Sequence, residues 1–247
     1  MTTRIYGVHS VRALLEQEDA RIVRAHVLAE PAADRLAELV AALEARGVEV
    51  KRVNRRELDR LTGGAVHQGI VVETSAPAEL GLTEFEELVV SRGRDVRLLV
   101  LDGVEDPRNL GACLRTADAA AIDAVVVPRT RAARLTPAAR KTATGAAERL
   151  PILHAPNLVK VLRWLRSAGV RVVGADSEGA RPLFDATLVP PLALVLGGEG
   201  RGLKPATRAA CDEVVAIPMY GRVESLNVSV AAAILMYEAV RQSPPGR

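Results

Sequence analysis

From residue 96 to the C-terminus, short apolar runs alternate with stretches of helical periodicity. The runs fall at 97–101, 124–127, 150–154, 170–175, 192–196 and 213–217, and most are apolar on both faces rather than at every second position. Strands of that kind must be covered on both sides. Separated by helices, they predict a parallel sheet sandwiched between helical layers, so the fold class is α/β. Composition agrees: 49% of the residues are apolar, chiefly Ala, Val and Leu, and aromatics reach only 2%, a poor supply for an all-β core. A last helix is expected from about 226 to 242; it is apolar on nearly every side and should be buried.

Residues 1–76 read as a separate small α/β unit, with helices at 8–17, 32–46 and 55–61 and strands at 22–28, 48–53 and 68–73. Residues 77–95 carry 2 Lys/Arg against 5 Asp/Glu and show only a weak helical pattern, so they are expected to be a linker. Residues 96–247 then form a second domain. The first unit is balanced at 11 basic and 11 acidic residues, whereas 96–247 carries 20 against 14, a bias compatible with a polyanionic partner. The longest apolar runs are far short of the roughly 20 residues that cross a bilayer. Residues 1–10 lack the apolar core of a secretion signal. A cytoplasmic protein without a membrane partner is expected. Cys113 and Cys211 form no metal-ligand spacing, and no metal is expected.

Three segments carry candidate chemistry. In the first, 101–118, Asp106 can cap a helix whose first position suits Pro107. Leu110, Cys113, Leu114, Ala117 and Ala121 make its buried stripe, and Arg108, Gly111 and Arg115 gather on the other side. A mid-helix glycine costs about 1 kcal/mol relative to alanine. Between two arginines it reads as bare backbone open to a ligand, and the helix N-terminus favours an anion there. In the second segment, 194–203, a buried strand runs into four glycines around Glu199, at the strand end where open α/β sheets bind ligands. The spacing Gly198-x-Gly200-x-Gly202 lacks the third glycine of G-x-G-x-x-G, and no acidic residue is suitably placed after the next strand. That disfavours a dinucleotide site. In the third, 217–230, Ser225 can cap the last helix, and Asn227 in its first turn needs backbone or ligand partners.

In this order and on these elements, the three segments resemble the motifs of the SpoU family, TrmH-like ribose 2′-O-methyltransferases of the SPOUT superfamily, across residues 97–242. Ile5-Tyr6-Gly7-Val8-His9-Ser10-Val11, Gly64-Ala65-Val66-His67-Gln68-Gly69-Ile70 and Lys141-Thr142-Ala143-Thr144-Gly145-Ala146-Ala147-Glu148 are similar to one branch of it. That branch methylates a guanosine ribose in the peptidyl-transferase region of 23S rRNA. The resemblance implies a small N-terminal α/β RNA-binding domain and a parallel-sheet SPOUT catalytic domain whose C-terminal segment forms a trefoil knot. It implies S-adenosylmethionine bound near Gly197, Gly200, Ile217, Met219 and Leu226, a homodimer, and 23S rRNA as partner. By motif position Asn109, Arg115, Glu199, Ser225 and Asn227 are the catalytic candidates, with Arg115 chiefly a phosphate clamp. Glu224 stands where that branch commonly has serine, and Glu-Ser-Leu-Asn occurs in members with a different rRNA target. Another rRNA nucleotide, or tRNA, therefore stays open as substrate; a non-catalytic RNA-binding assembly factor is the alternative of another class. His9, His67, Arg129, Arg131, Arg134 and Lys141 are candidate RNA contacts.

Overall fold

The computed structural model describes residues 2–16, 22–29, 34–75, 80–130, 132–198 and 202–244. Glu199, Gly200 and Arg131 lie outside them. The chain divides into two compact units, Met1–Ala78 and Glu79–Arg247.

The first unit contains β1 (Thr2–Tyr6), α1 (Val8–Leu15), β2 (Ile22–Leu28), α2 (Asp34–Ala45), β3 (Glu49–Val53), α3 (Arg55–Thr62) and β4 (Ile70–Ser75). Its sheet runs β1-β4-β2-β3, antiparallel except for the β2/β3 pair. Strand β1 escaped the sequence reading, being a short polar run that gains its identity by pairing with β4. Ile5, Ala25, Val27, Ile70 and Val72 on one sheet face pack against α1 and α2, while Val71 on the other meets Leu58 and Leu61 of α3. The turn into β4 is fastened to the start of α1, where the Val8 N–H donates to Gln68 Oε1 at 2.9 Å. His67 is buried in that turn: its Nδ1 accepts from the Gly69 N–H at 3.0 Å, and Nε2 lies 3.1 Å from an Asp59 carboxylate oxygen. It locks the turn instead of facing RNA, whereas His9 is exposed.

The second unit begins with α4 (Leu82–Arg92), inside the stretch expected to be a linker. It continues through β5 (Arg97–Asp102), α5 (Pro107–Ala119), β6 (Ala124–Pro128), α6 (Pro137–Ala143), α7 (Ala146–Arg149), β7 (Ile152–Ala155) and α8 (Leu158–Ser167). Then come β8 (Arg171–Ala175), β9 (Arg181–Pro182), β10 (Leu192–Gly197), α9 (Pro205–Arg208), β11 (Glu213–Ala216) and α10 (Val228–Gln242). The strands pair in the order β7-β6-β5-β10-β8-β11-β9, every neighbouring pair parallel. Alternate residues serve two cores, as the pleat requires. Leu99, Leu101, Leu194 and Leu196 join the layer of α5, α6, α7 and α10; Leu98, Val100, Ala193 and Val195 join that of α4 and α8, with Leu203 and Ala210 from either side of α9.

Helix α5 starts as expected, with Asp106 accepting the Arg108 N–H at 2.8 Å and Pro107 in the first turn. Ala121 drops out of the expected stripe: the helix ends before it, and it is exposed at φ 54°. The cap of α10 is Asn227 rather than Ser225. Nor is α10 wholly buried, because Val230 and Tyr237 are 47% and 51% exposed. Gln242 fixes its far end by accepting from the Leu188 N–H at 2.7 Å and donating to the Ala186 carbonyl at 2.9 Å.

Helix α4 belongs to the core because Phe85 is fully buried, its ring tilted against Trp164 with centroids 6.2 Å apart. Phe85→Ala is expected to destabilise the second unit by about 3–5 kcal/mol. Urea unfolding followed through Trp164, the single tryptophan, checks this; an unshifted transition would return 82–92 to linker status.

Candidate active site

The C-terminal ends of β8, β10 and β11 surround a cavity of about 540 Å³, within the usual range for small-molecule sites. Gly197, Gly198 and Gly202 line it from the turn after β10; Ile217, Met219, Ser225 and Leu226 line it from the segment joining β11 to α10. Of the residues expected to hold a cofactor, Gly197, Ile217, Met219 and Leu226 thus share one wall-to-wall space. The glycines are set by close chain packing. A Cβ at Gly197 would lie 1.9 Å from the Gly202 carbonyl oxygen, and one at Gly198 would lie 2.3 Å from that of Gly103. Backbone packs on backbone there, so the same atoms line the cavity without a side chain between.

The first segment reaches this place through Asn109. Its Oδ1 accepts from Asn227 Nδ2 at 3.2 Å, while Asn227 Oδ1 takes the Ser229 N–H at 2.9 Å and the Ser229 hydroxyl at 2.6 Å. Asn227 is therefore exposed and capping, between two cavity-lining neighbours, Leu226 and Val228. Arg115 lies further along α5, exposed, and makes no hydrogen bond or ion pair with any described residue. It does not line the cavity. Gly111 departs from expectation. It is buried, and a Cβ there would lie 2.4 Å from the Ala139 carbonyl oxygen and 2.8 Å from Thr142 Cβ. Helix α6 fills the gap that the sequence assigned to a ligand.

Two carboxylates absent from the sequence reading hold the glycine turn. Asp102, buried at the end of β5, accepts from Lys204 Nζ and from the Thr207 hydroxyl at 2.6 Å, tying the start of α9 to the central strand. Asp176, just past β8, accepts from the Leu203 N–H at 2.9 Å and the Glu178 N–H at 3.0 Å, and pairs with Arg208 at 3.2 Å. Burial works to raise the Asp176 carboxyl, but the two N–H groups and the Arg208 charge outweigh it and hold it below the usual carboxylate range. The general rule that ligands gather at strand C-termini was the available signal for both. Cys211 is no nucleophile, since burial and then the Asp212 charge push its thiol up to about 11. Among the described residues no His, Cys, Asp or Glu group could hold a metal ion, and no helix is long and apolar enough to cross a membrane.

A parallel sheet thus carries a glycine-lined pocket at its strand ends, reached by an asparagine bridge from α5. Residues 97–237 match the sequence profile of the SpoU rRNA Methylase family, and residues 4–80 match that for RNA 2′-O ribose methyltransferase substrate binding. The chain belongs to the SpoU family. It is 45% identical over 242 residues to the 23S rRNA (guanosine-2′-O-)-methyltransferase RlmB of Photorhabdus laumondii, covering 98% of this chain and 99% of that one. The RlmB of Escherichia coli K12 is 44% identical with the same coverage. The SpoU methyltransferase AviRb of Streptomyces viridochromogenes, solved with its cofactor AdoMet, superposes with a TM-score of 0.80 at 27% identity. That match covers 100% of this chain and 92% of AviRb.

The crowding at Gly111 sets the sign of a test. On helix propensity alone Gly111→Ala would stabilise by about 1 kcal/mol; packed against α6 it is expected to destabilise by about 1–3 kcal/mol. Chemical denaturation decides, and a stabilised variant would restore the open patch.

Proposed function

We propose that this protein transfers the methyl group of S-adenosylmethionine to the ribose 2′-hydroxyl of a guanosine in 23S rRNA. The observation that carries the reading is the convergence of the three motif segments on one pocket: Gly197 from the second, Ile217 to Leu226 from the third, and Asn109 of the first bonded to Asn227. The RlmB relatives, similar along nearly their full length, support the substrate. The bare backbone at Gly197 and Gly198 suits a nucleoside, since nothing but main chain stands at that wall. Gly197, Gly200, Ile217, Met219 and Leu226 would hold the cofactor, which supplies a methyl carbon on a sulfonium whose departure leaves a neutral thioether.

The chain's own task is to align the attacking hydroxyl. Alignment alone reaches effective molarities of about 10⁵ M or more. A guanidinium donates and never accepts, so Arg115 clamps an RNA phosphate and steadies charge at the ribose. Asn109, bonded to Asn227, and Ser225 at the cavity wall orient the sugar, Glu199 holds loop amides or the substrate, and Asn227 fixes the turn by capping α10. The first unit holds RNA, consistent with its substrate-binding profile match. A trefoil path of the C-terminal segment through the catalytic domain belongs to the same reading; the close packing of 197–198 on 202 and 103 supports it. So does a homodimer, for which α10 offers Val230 and Tyr237 one heptad apart on its exposed side. The reaction is placed in the cytoplasm, where the rRNA is.

Offered unmodified 23S rRNA and radiolabelled methyl donor, the protein is expected to label one guanosine ribose, mapped by protection from alkaline cleavage. Label on tRNA alone would overturn the substrate. Arg115→Ala is expected to cut turnover by about 10²–10³-fold while leaving cofactor affinity within about two-fold in calorimetric titration. Tyr237→Asp is expected to shift sedimentation from dimer to monomer; an unchanged value would place the interface elsewhere.

A further inference from the structure

We propose that Glu178 binds the cofactor's nucleoside, its carboxylate accepting hydrogen bonds from the ribose hydroxyls. The inference rests on the reading of the cavity as the S-adenosylmethionine site. Two acidic residues follow β8 and both line the cavity. Asp176 has spent its oxygens on Leu203, Glu178 and Arg208. Glu178 is the opposite case. Its backbone is pinned on both sides, the N–H by Asp176 at 3.0 Å and the carbonyl by Arg208 Nη2 at 2.7 Å. The carboxylate itself is exposed and has no partner among the described residues. The backbone is held, and the acceptor is left free at the pocket wall. The turn is also sterically fixed, because a Cβ at Gly179 would lie 2.3 Å from the Val215 backbone.

Place in the sheet says what such an acceptor meets. Strand β8 is the parallel neighbour of β10, with Ala175 in register beside Leu196, so Glu178 stands at the end of the strand next to the glycine turn. In dinucleotide-binding sheets a carboxylate at a comparable place accepts from the ribose diol while the glycine turn meets the rest of the ligand. Here the acidic strand comes earlier in the chain than the glycine turn, so a search for it after the turn finds nothing. An ionised carboxylate accepts only, and a vicinal diol presents two O–H donors to its two oxygens. Arg208, the cation that could neutralise Glu178, is occupied by Asp176 and the Glu178 carbonyl. Among the described residues, the other carboxylate without a partner at the cavity is Glu224, on the segment beside Ser225.

The test is calorimetric titration of the full chain with S-adenosylhomocysteine and with 5′-methylthioadenosine, which keeps the ribose diol and lacks the amino acid. Glu178→Ala is expected to weaken both ligands in parallel by about ten-fold or more, with Glu178→Gln in between and an unchanged melting curve for each variant. Unchanged binding of both ligands overturns the inference. So does a loss confined to S-adenosylhomocysteine, which would aim Glu178 at the amino-acid ammonium. A parallel loss in Glu224→Gln with none in the Glu178 variants would move the role to the other wall. Failure of the unaltered protein to bind either nucleoside would refute the cavity's assignment, and this inference with it.

Discussion

The catalytic unit depends on one close approach of main chain to main chain. Gly197 ends β10 in register with Asp102 of β5, and no side chain fits at 197 or 198 because Gly202 and Gly103 occupy the space. Two stretches far apart in sequence, one at Gly103 and one carrying Gly197, Gly198 and Gly202, meet there without side chains to spare. Carboxylates then fasten the returning turn from both sides, Asp102 through Lys204 and Thr207 and Asp176 through Leu203. The parallel order β5-β10-β8 is what brings those two carboxylates to flank one turn. A sheet edge could not offer this, since it has a neighbouring strand on one side only.

Much of the architecture was legible because the physics was local. Strands apolar on both faces can be nothing but interior, and β5, β6, β8 and β10 lie within a residue or two of where their runs fall. Asp106 and Pro107 marked a helix start by backbone chemistry alone. The site's glycines and the Ile217 to Leu226 segment were found because they form continuous motifs. What sequence could not carry was spatial order. Strand β1 is polar and becomes a strand only through its partner. The stretch 82–92 looked weakly helical because Phe85 and Val89 bury against α8 and the sheet, a tertiary fact. Asp102 and Asp176 were missed since each acts on a residue distant in sequence.

Cavity packing also revises the meaning of single residues. Gly111 and Gly197 look alike in sequence, each a glycine where a ligand could touch backbone. Both are crowded where a Cβ would stand, Gly111 by the Ala139 carbonyl and Thr142 of α6 and Gly197 by the Gly202 backbone, but of the two only Gly197 lines the cavity. His67 likewise lies in a motif that suggests RNA contact, yet its ring nitrogens are engaged by the Gly69 N–H of its own turn and by Asp59 of α3. A motif residue can serve the frame that presents the chemistry instead of the chemistry itself.

Helix α5 shows how the frame and the chemistry share one element. Leu110, Cys113, Leu114 and Ala117 bury one side, and Gly111 seats the helix against α6. With those faces fixed, Asn109 is delivered to Asn227, the residue whose other amide atom caps α10. Arg115 is carried on the same rigid rod but has no partner among the described residues. A guanidinium already paired would have to surrender that partner before taking a phosphate, and the lost interaction would be subtracted from binding. An unpaired one on a helix locked by three other contacts has only solvent to shed. Rigidity is thus supplied by the packed faces of α5, and Arg115 is held on it uncommitted to any described residue.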